Sequence, residues 1–108
     1  MKNYCGEFEE ILLMMVIILE EEAYGNKIVQ EIQDQLNRSV NLSAVHITLY
    51  RLEDKGFVKS YYGGATNTRG GRRKRIFQIT EAGKNLVYEI QEQRQKLWKL
   101  MPGFNFNA

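Results

Sequence analysis

Apolar residues recur along the first part of the chain with the spacing of α-helices. Across residues 7–22 they fall every three or four positions without a Gly or Pro between them, which predicts a helix. The members of this stripe are Phe8, Ile11, Leu12, Met15, Ile18 and Leu19. A second helix is predicted from residue 25 or 26 to residue 37, with Ile28, Val29, Ile32 and Leu36 on one side.

The middle of the first helix is apolar in every direction. The positions between the stripe residues are filled by Leu13, Met14, Val16 and Ile17. A helix of this kind is covered on more than one side. One interpretation is that one side packs on its own core and the other on a second subunit, with Ile11 and Met15 among the contacts. The alternative is a fully buried central helix, although a chain of 108 residues has few elements to surround one.

A third helix is predicted over residues 43–56. The Ser43 hydroxyl can cap its start, and Gly56 suits the left-handed position that ends a helix. The spacing of Val45, Leu49 and Leu52 gives it a core stripe. Small or hydrogen-bonding groups elsewhere on it allow an end-on approach to the major groove. The candidate DNA contacts on this helix are Ser43, Ala44, His46, Thr48, Tyr50 and Arg51.

Two extended segments follow, at residues 57–62 and 72–79, on either side of a glycine-rich stretch. β-branched and aromatic residues around such a stretch predict a β-hairpin. Phe77 and Ile79 share one face of the second strand, which we assign to the core. Helix, helix, turn, helix and hairpin together form a winged helix, so the fold class is mainly α with a small β-hairpin (α+β).

The end of the chain predicts one long helix. Thr80 is a suitable cap for it, and Pro102 with Gly103 would stop it after residue 101. Its apolar positions alternate by three and four residues, as in a coiled coil, with one charged interruption. They are Val87, Ile90, Arg94, Leu97 and Met101.

This pattern predicts two functional parts. We expect residues 1–80 to form a DNA-binding domain and residues 81–101 to form a dimerisation helix, followed by a frayed tail at 102–108. A long amphipathic helix beyond a complete domain has little of its own subunit left to cover. We therefore expect it to pack against the apolar first helix of a partner, giving a homodimer.

Charge is distributed unevenly along the chain. The formal charge is only +2, yet no Asp or Glu lies between residues 55 and 75. The cations of this span are Lys55, Lys59, Arg69, Arg72, Arg73, Lys74 and Arg75. Such a run indicates a surface for double-stranded DNA, although charged hairpins are often merely solvated. Alternate strand residues point to opposite faces, so we favour Arg69, Arg72, Arg73 and Lys74 over Arg75.

Other classes of function find little support in the sequence. The single histidine, His46, has no recognisable nucleophile partner, and no phosphate-binding loop motif is present, so we expect neither an enzyme nor a bound cofactor. One His and one distant Cys5 do not make a metal site. A lone cysteine suits a reducing cytoplasm. The longest apolar run, residues 11–19, is far shorter than the roughly 20 residues of a membrane span.

Three segments resemble the PadR family, the phenolic-acid-decarboxylase regulators of bacteria. They are AYGNKI at 23–28, SAVHITLYRLEDKGFV at 43–58 and GGRRKRIFQITEAGKNL at 70–86. The resemblance implies a dimeric winged-helix repressor on an inverted-repeat operator. The single C-terminal helix resembles that of the short subfamily, in which some members bind small aromatic or drug-like ligands between subunits.

The resemblance also identifies two departures. His46 stands where the family usually has a tyrosine that touches the DNA backbone, and Tyr50 one turn later can share that contact. Ligand-binding members carry an interfacial tryptophan where this chain has Arg94. Trp98 lies one position past Leu97, beside the predicted dimer seam, and is either a contact for a small hydrophobic or aromatic effector or simple helix packing. The main alternative to a DNA-binding regulator is a winged-helix interaction module that docks an acidic protein partner.

Overall fold

The computed structural model describes residues 5–63 and 73–103. Helix α1 is Glu7–Leu19, and Glu9 caps its start by accepting a hydrogen bond from the Gly6 N–H at 3.2 Å. The helix ends three residues earlier than the sequence predicts, because Glu20 takes a positive φ of 54° and a 3-10 turn, Glu20–Glu22, follows. Three consecutive carboxylates at a helix C-terminus repel one another and oppose the helix dipole.

Helices α2, Gly25–Leu36, and α3, Leu42–Asp54, form the helix-turn-helix. The prediction that Ser43 caps α3 is wrong: the cap is Asn41, whose side-chain oxygen accepts a hydrogen bond from the Ala44 N–H at 2.8 Å. Asparagine and serine are equally good caps, and Leu42, one residue before the predicted start, begins the helix. At the other end, Gly56 has a φ of 86°, in the left-handed region predicted for it.

Two antiparallel strands form the wing. Strand β1, Val58–Gly63, pairs with β2, Lys74–Ile79, in a register that places Val58 opposite Ile79 and Gly63 opposite Lys74. The Phe77 N–H on the other edge of β2 donates to the Ala23 carbonyl at 2.9 Å, which ties the wing to the segment before α2. The predicted winged-helix fold, mainly α with a small hairpin, is confirmed.

Helix α4, Glu81–Leu100, begins at the predicted cap. The Thr80 hydroxyl oxygen accepts from the Gly83 N–H at 3.1 Å and donates to the Gly56 carbonyl at 2.7 Å. Only Gly83 and Leu86 of this helix are buried, and its second half extends beyond the core. The molecule is accordingly elongated, with principal extents of 58 × 30 × 21 Å.

The core lies between α1, α2, α3 and the inner face of the wing. Its fully buried members are Leu12, Leu13, Ala23, Ile28, Ile32, Val45, Leu49, Leu52 and Phe77. On α1 the buried side differs from the stripe read from the sequence. Leu13 and Val16 are buried, whereas Ile18 is 60% exposed. A helix that is apolar all round does not reveal its inner side by periodicity, so only the neighbouring elements decide it.

Within residues 5–63 and 73–103, no helix combines the length and apolar character needed to cross a membrane. The same residues contain no group of three or more His, Cys, Asp or Glu side chains placed to hold a metal ion.

Candidate nucleic-acid interface

Helix α3 presents the surface predicted to meet base edges, and we call it the reading helix. Val45, Leu49 and Leu52 anchor it to the core, as predicted. The side away from the core is exposed at Ser43, Ala44, Ile47, Tyr50 and Arg51, and His46 is half-buried. Cap and core stripe together fix how far the helix projects and which way it is rotated.

Thr48 does not belong to this exposed surface. It is only 6% exposed and lies on the core side of the helix. It follows Val45 by three positions and precedes Leu52 by four, which places all three side chains on one face. The prediction that Thr48 contacts DNA is therefore wrong, and its spacing from Val45 and Leu52 was the signal that identified it as a core position.

His46 and Tyr50 form a stacked pair one turn apart. Their ring centroids are 5.9 Å apart and their planes differ by 10°. The ring of His46 also lies against Gly25 at the start of α2, where an added Cβ would overlap its Nε2 atom. Glycine at this position thus allows the first turns of α2 and α3 to approach closely.

The partly buried Arg75 side chain takes part in a hydrogen-bond network that joins the wing to the reading helix. Its Nη2 lies 3.0 Å from Glu53 Oε1, and its Nε donates to Ser60 Oγ at 3.0 Å. Ser60 Oγ in turn donates to Glu53 Oε2 at 2.8 Å. The guanidinium carbon lies 4.8 Å from the centroid of the Tyr50 ring. Burial alone would lower the pKa of Arg75, but the negative charge of Glu53, the nearby Tyr50 and Tyr62 and the hydrogen bond to Glu53 together raise that pKa.

Lys74, the first residue of β2, and Arg73, directly before it, are exposed cations. The Lys74 ammonium lies 4.3 Å from the centroid of the Tyr24 ring. The other two predicted wing contacts, Arg69 and Arg72, lie outside the described residues.

A groove of about 550 Å³ runs between the wing and the first turns of α2 and α3, and we call it the cationic groove. It is lined by Tyr24, Gly25, Asn26, His46, Tyr50, Tyr62, Arg73, Lys74 and Arg75. The sequence did not identify Tyr24, Asn26 or Tyr62 as members. Two sequence features could have identified the tyrosines: Tyr24 stands directly before the start of α2 without capping it, and Tyr62 lies near the end of β1. Cations and ring faces together suit a sugar-phosphate backbone.

Two acids near the reading helix, Glu53 and Glu9, are engaged by cations. Glu53 pairs with Arg75, and Glu9 pairs with Lys55 at 3.1 Å. Lys55 is therefore engaged on the side of α1 and is not an independent phosphate ligand. Within the described part of the reading helix and wing, the exposed cations that remain are Arg51, Lys59, Arg73 and Lys74.

The predicted dimerisation residues fall into three groups. Val87 and Ile90 on α4, and Ile11 on α1, are partly buried against the core of their own subunit. Leu97, on the part of α4 beyond the core, and Met101, directly after the helix, are exposed, with Leu97 61% exposed. Met15 is only 4% exposed, so its own subunit already covers most of the surface it was expected to offer.

The first two helices leave an apolar groove of about 460 Å³ between them, which we call the α1–α2 groove. Its walls are formed by Ile11, Met14, Met15, Ile18, Glu31, Gln35 and Leu36. Arg94 on α4 pairs with the nearly buried Glu10 on α1 at 2.8 Å, which explains the charged position within an otherwise apolar seam. Trp98, the predicted effector contact, is 43% exposed on the same helix.

Comparisons with known proteins agree with this architecture. The family model described as "Transcriptional regulator PadR-like family" matches residues 13–99. A protein of Lysinibacillus sphaericus is 33% identical over 90 residues, which cover 82% of this chain and 78% of that protein.

Solved structures show the same fold. A crystal structure of a PadR family transcription regulator from Clostridium difficile R20291 is 30% identical, with a TM-score of 0.66, and the match covers 90% of this chain and 97% of that one. Bacillus subtilis PadR, solved in complex with operator DNA, shares the fold at 18% identity and a TM-score of 0.65 over 79% of this chain and 46% of its own. This chain belongs to the PadR-like family of transcriptional regulators.

Proposed function

We propose that this DNA-binding regulator acts as a repressor, in the cytoplasm and as a homodimer on an inverted-repeat operator. The observation that carries the proposal is the exposed, uncharged first half of the reading helix beside the exposed Arg73 and Lys74. Small groups there permit close approach to base edges, and the cations position the duplex through its phosphates. The proposed division is a DNA-binding unit at residues 1–80 and a dimerisation helix at 81–101.

Two subunits related by a twofold axis would place their reading helices in successive major grooves, about 34 Å apart. Support for the pair comes from the apolar end of α4, where Leu97 and Met101 are exposed, and from the α1–α2 groove that is open to receive it. Binding across a promoter would exclude RNA polymerase. Bacillus subtilis PadR, with the same fold, was solved on operator DNA.

An effector of this regulator would be a small hydrophobic or aromatic molecule that binds near Trp98 between the subunits. It would induce transcription by favouring a different separation of the two reading helices, because only unequal affinity for two arrangements can shift occupancy. The exposure of Trp98 on the proposed dimerisation helix supports this role.

The test is selection from a random duplex library with the full-length protein, followed by footprinting of the DNA upstream of its own gene. We expect one enriched motif with twofold symmetry and protection of a matching upstream site. Enrichment of no sequence, with no protected site, would overturn the proposal and favour the second candidate, docking of an acidic protein on the same cations.

A further inference from the structure

Ile47 occupies an unusual place on the reading helix. Its side chain is 57% exposed in the middle of the helix, on the side opposite Val45 and Leu49. Isolated apolar side chains on a surface are common, so exposure alone carries no meaning. The position is what distinguishes Ile47, because it lies at the centre of the surface that would enter the major groove.

The exposed neighbours of Ile47 on the helix are small or polar apart from Tyr50, which is 41% exposed and stacks on His46. Ser43 and Ala44 lie one turn before it and Arg51 one turn after it, and all three are exposed. Ile47 is also not among the residues that line the α1–α2 groove. A single β-branched apolar group among small and polar ones suits contact with one small apolar feature on a polar partner.

The extent of insertion follows from the same helix. Its first two turns carry no acid, whereas Asp54 is exposed at the C-terminal end and would repel phosphates. The helix therefore enters with its N-terminal half, where Ile47, at 57% exposure against 36% for Leu42, is the most exposed large apolar side chain. It lies about 6 Å along the axis from Ser43, within the inserted part.

Base edges in the major groove present one apolar group, the C5-methyl of thymine. Isoleucine cannot donate or accept a hydrogen bond, so it can discriminate bases only through that methyl group or by steric exclusion. We propose that Ile47 packs on the C5-methyl of a thymine in each operator half-site and thereby determines part of the sequence preference. This inference rests on the proposed function and assigns a specificity-determining residue to the same surface.

The test uses the duplex selected by the full-length protein. Each thymine of the half-site is replaced in turn by deoxyuridine, which removes only the methyl group. We expect one position at which the replacement weakens binding about fourfold per half-site, the value for burying one methyl-sized group. In Ile47→Ala the same replacement should have no effect at that position, while Ile47→Val should keep most of it.

Thermal unfolding monitored by circular dichroism checks that both variants are folded, which is expected for an exposed side chain. If deoxyuridine weakens binding of Ile47→Ala as much as binding of the unchanged protein, or weakens neither, the inference is overturned while the proposed function stands. If no duplex is enriched at all, both fall together.

Discussion

Glu9 and Glu10 are nearly buried carboxylates on adjacent positions of α1, and each holds a cation from another helix. Glu9 pairs with Lys55 at the end of the reading helix, and Glu10 pairs with Arg94 on α4. Burial would raise the pKa of Glu9, but hydrogen bonds from Lys55 and the Gly6 N–H, with the charge of Lys55, lower it below its ordinary value. Glu9 thus stays ionised beside Cys5, and its negative charge raises the pKa of that thiol.

Cys5 should react slowly as a nucleophile in the folded protein. Burial, with the negative charges of Glu9 and Glu10, raises the pKa of Cys5 to about 11. Because the thiolate is the reactive form, we expect thiol-disulfide exchange with an aromatic disulfide reagent at pH 8 to be at least about tenfold slower than in the denatured chain. Glu9→Gln should speed the reaction of the folded protein, and Asp34→Asn, on exposed α2, should not change it. An equal rate in folded and denatured chains would contradict the burial of this thiol.

At the scale of single elements, the reading helix depends on long-range contacts for its orientation and on local ones for its ends. Asn41 and Gly56 define the ends, and both act within a few residues of the chain. The wing, by contrast, is joined to the helix by Arg75, which is 22 positions from its partner Glu53. Capping and docking can therefore be perturbed separately.

Replacing the cap should separate stability from DNA contact. Asn41→Ala removes the acceptor for the Ala44 N–H, so we expect the free energy of unfolding to fall by about 1 kcal/mol. Ser43→Ala should leave stability nearly unchanged, because Ser43 is exposed inside the helix, while weakening operator binding. Urea denaturation followed by circular dichroism measures the first effect and gel-shift titration the second. A larger loss of stability in Ser43→Ala would restore Ser43 as the cap.

Replacing Arg75 should affect stability, whereas replacing Arg73, only two positions away, should affect DNA binding. Arg75→Gln breaks the contacts to Glu53 and Ser60, and we expect it to lower the free energy of unfolding by about 1–2 kcal/mol. Arg73→Gln should leave stability intact and reduce the slope of log affinity against log salt by about one. Chemical denaturation and salt titrations of both variants check the pair. An unchanged slope in Arg73→Gln would remove that residue from the phosphate contacts.

At the scale of the whole molecule, the two ends of the elongated chain expose different kinds of surface. The winged helix carries the reading helix and cationic groove, while the second half of α4 extends from the core with apolar side chains exposed. A monomer would leave that apolar surface in water. Association through α4 would cover it and fix the spacing of two reading helices.

The exposed end of α4 should decide the oligomeric state. Leu97→Glu places a charge on the apolar seam, and we expect sedimentation to show a monomer that binds the selected duplex at least about tenfold more weakly. Its fold should survive, since the Leu97 side chain contributes little to the core. Lys96→Glu, on the adjacent exposed position, controls for charge and should remain dimeric. A Leu97→Glu dimer of unchanged affinity would contradict the proposed role of α4.

Local sequence features predicted most of the fold. Apolar periodicity located four helices, Gly56 and Thr80 marked the end of one and the start of another, and β-branched and aromatic residues located both strands. These features act over a few residues, so the chain alone suffices to interpret them. The excess of cations over residues 55–75 likewise placed the candidate interface on the reading helix and wing before any contact was known.

Only the tertiary structure decided how those elements face one another. Thr48 is buried, although its short polar side chain suggested a surface residue. On α1, Ile18 is exposed and Leu13 is buried. The tertiary structure also determines which cations remain available to phosphates, because Lys55 and Arg75 pair with acids that are distant in the sequence. The physical reason is that the period of an element fixes which residues share a face, whereas the rotation of that face and the partner of each charge depend on elements brought together by folding.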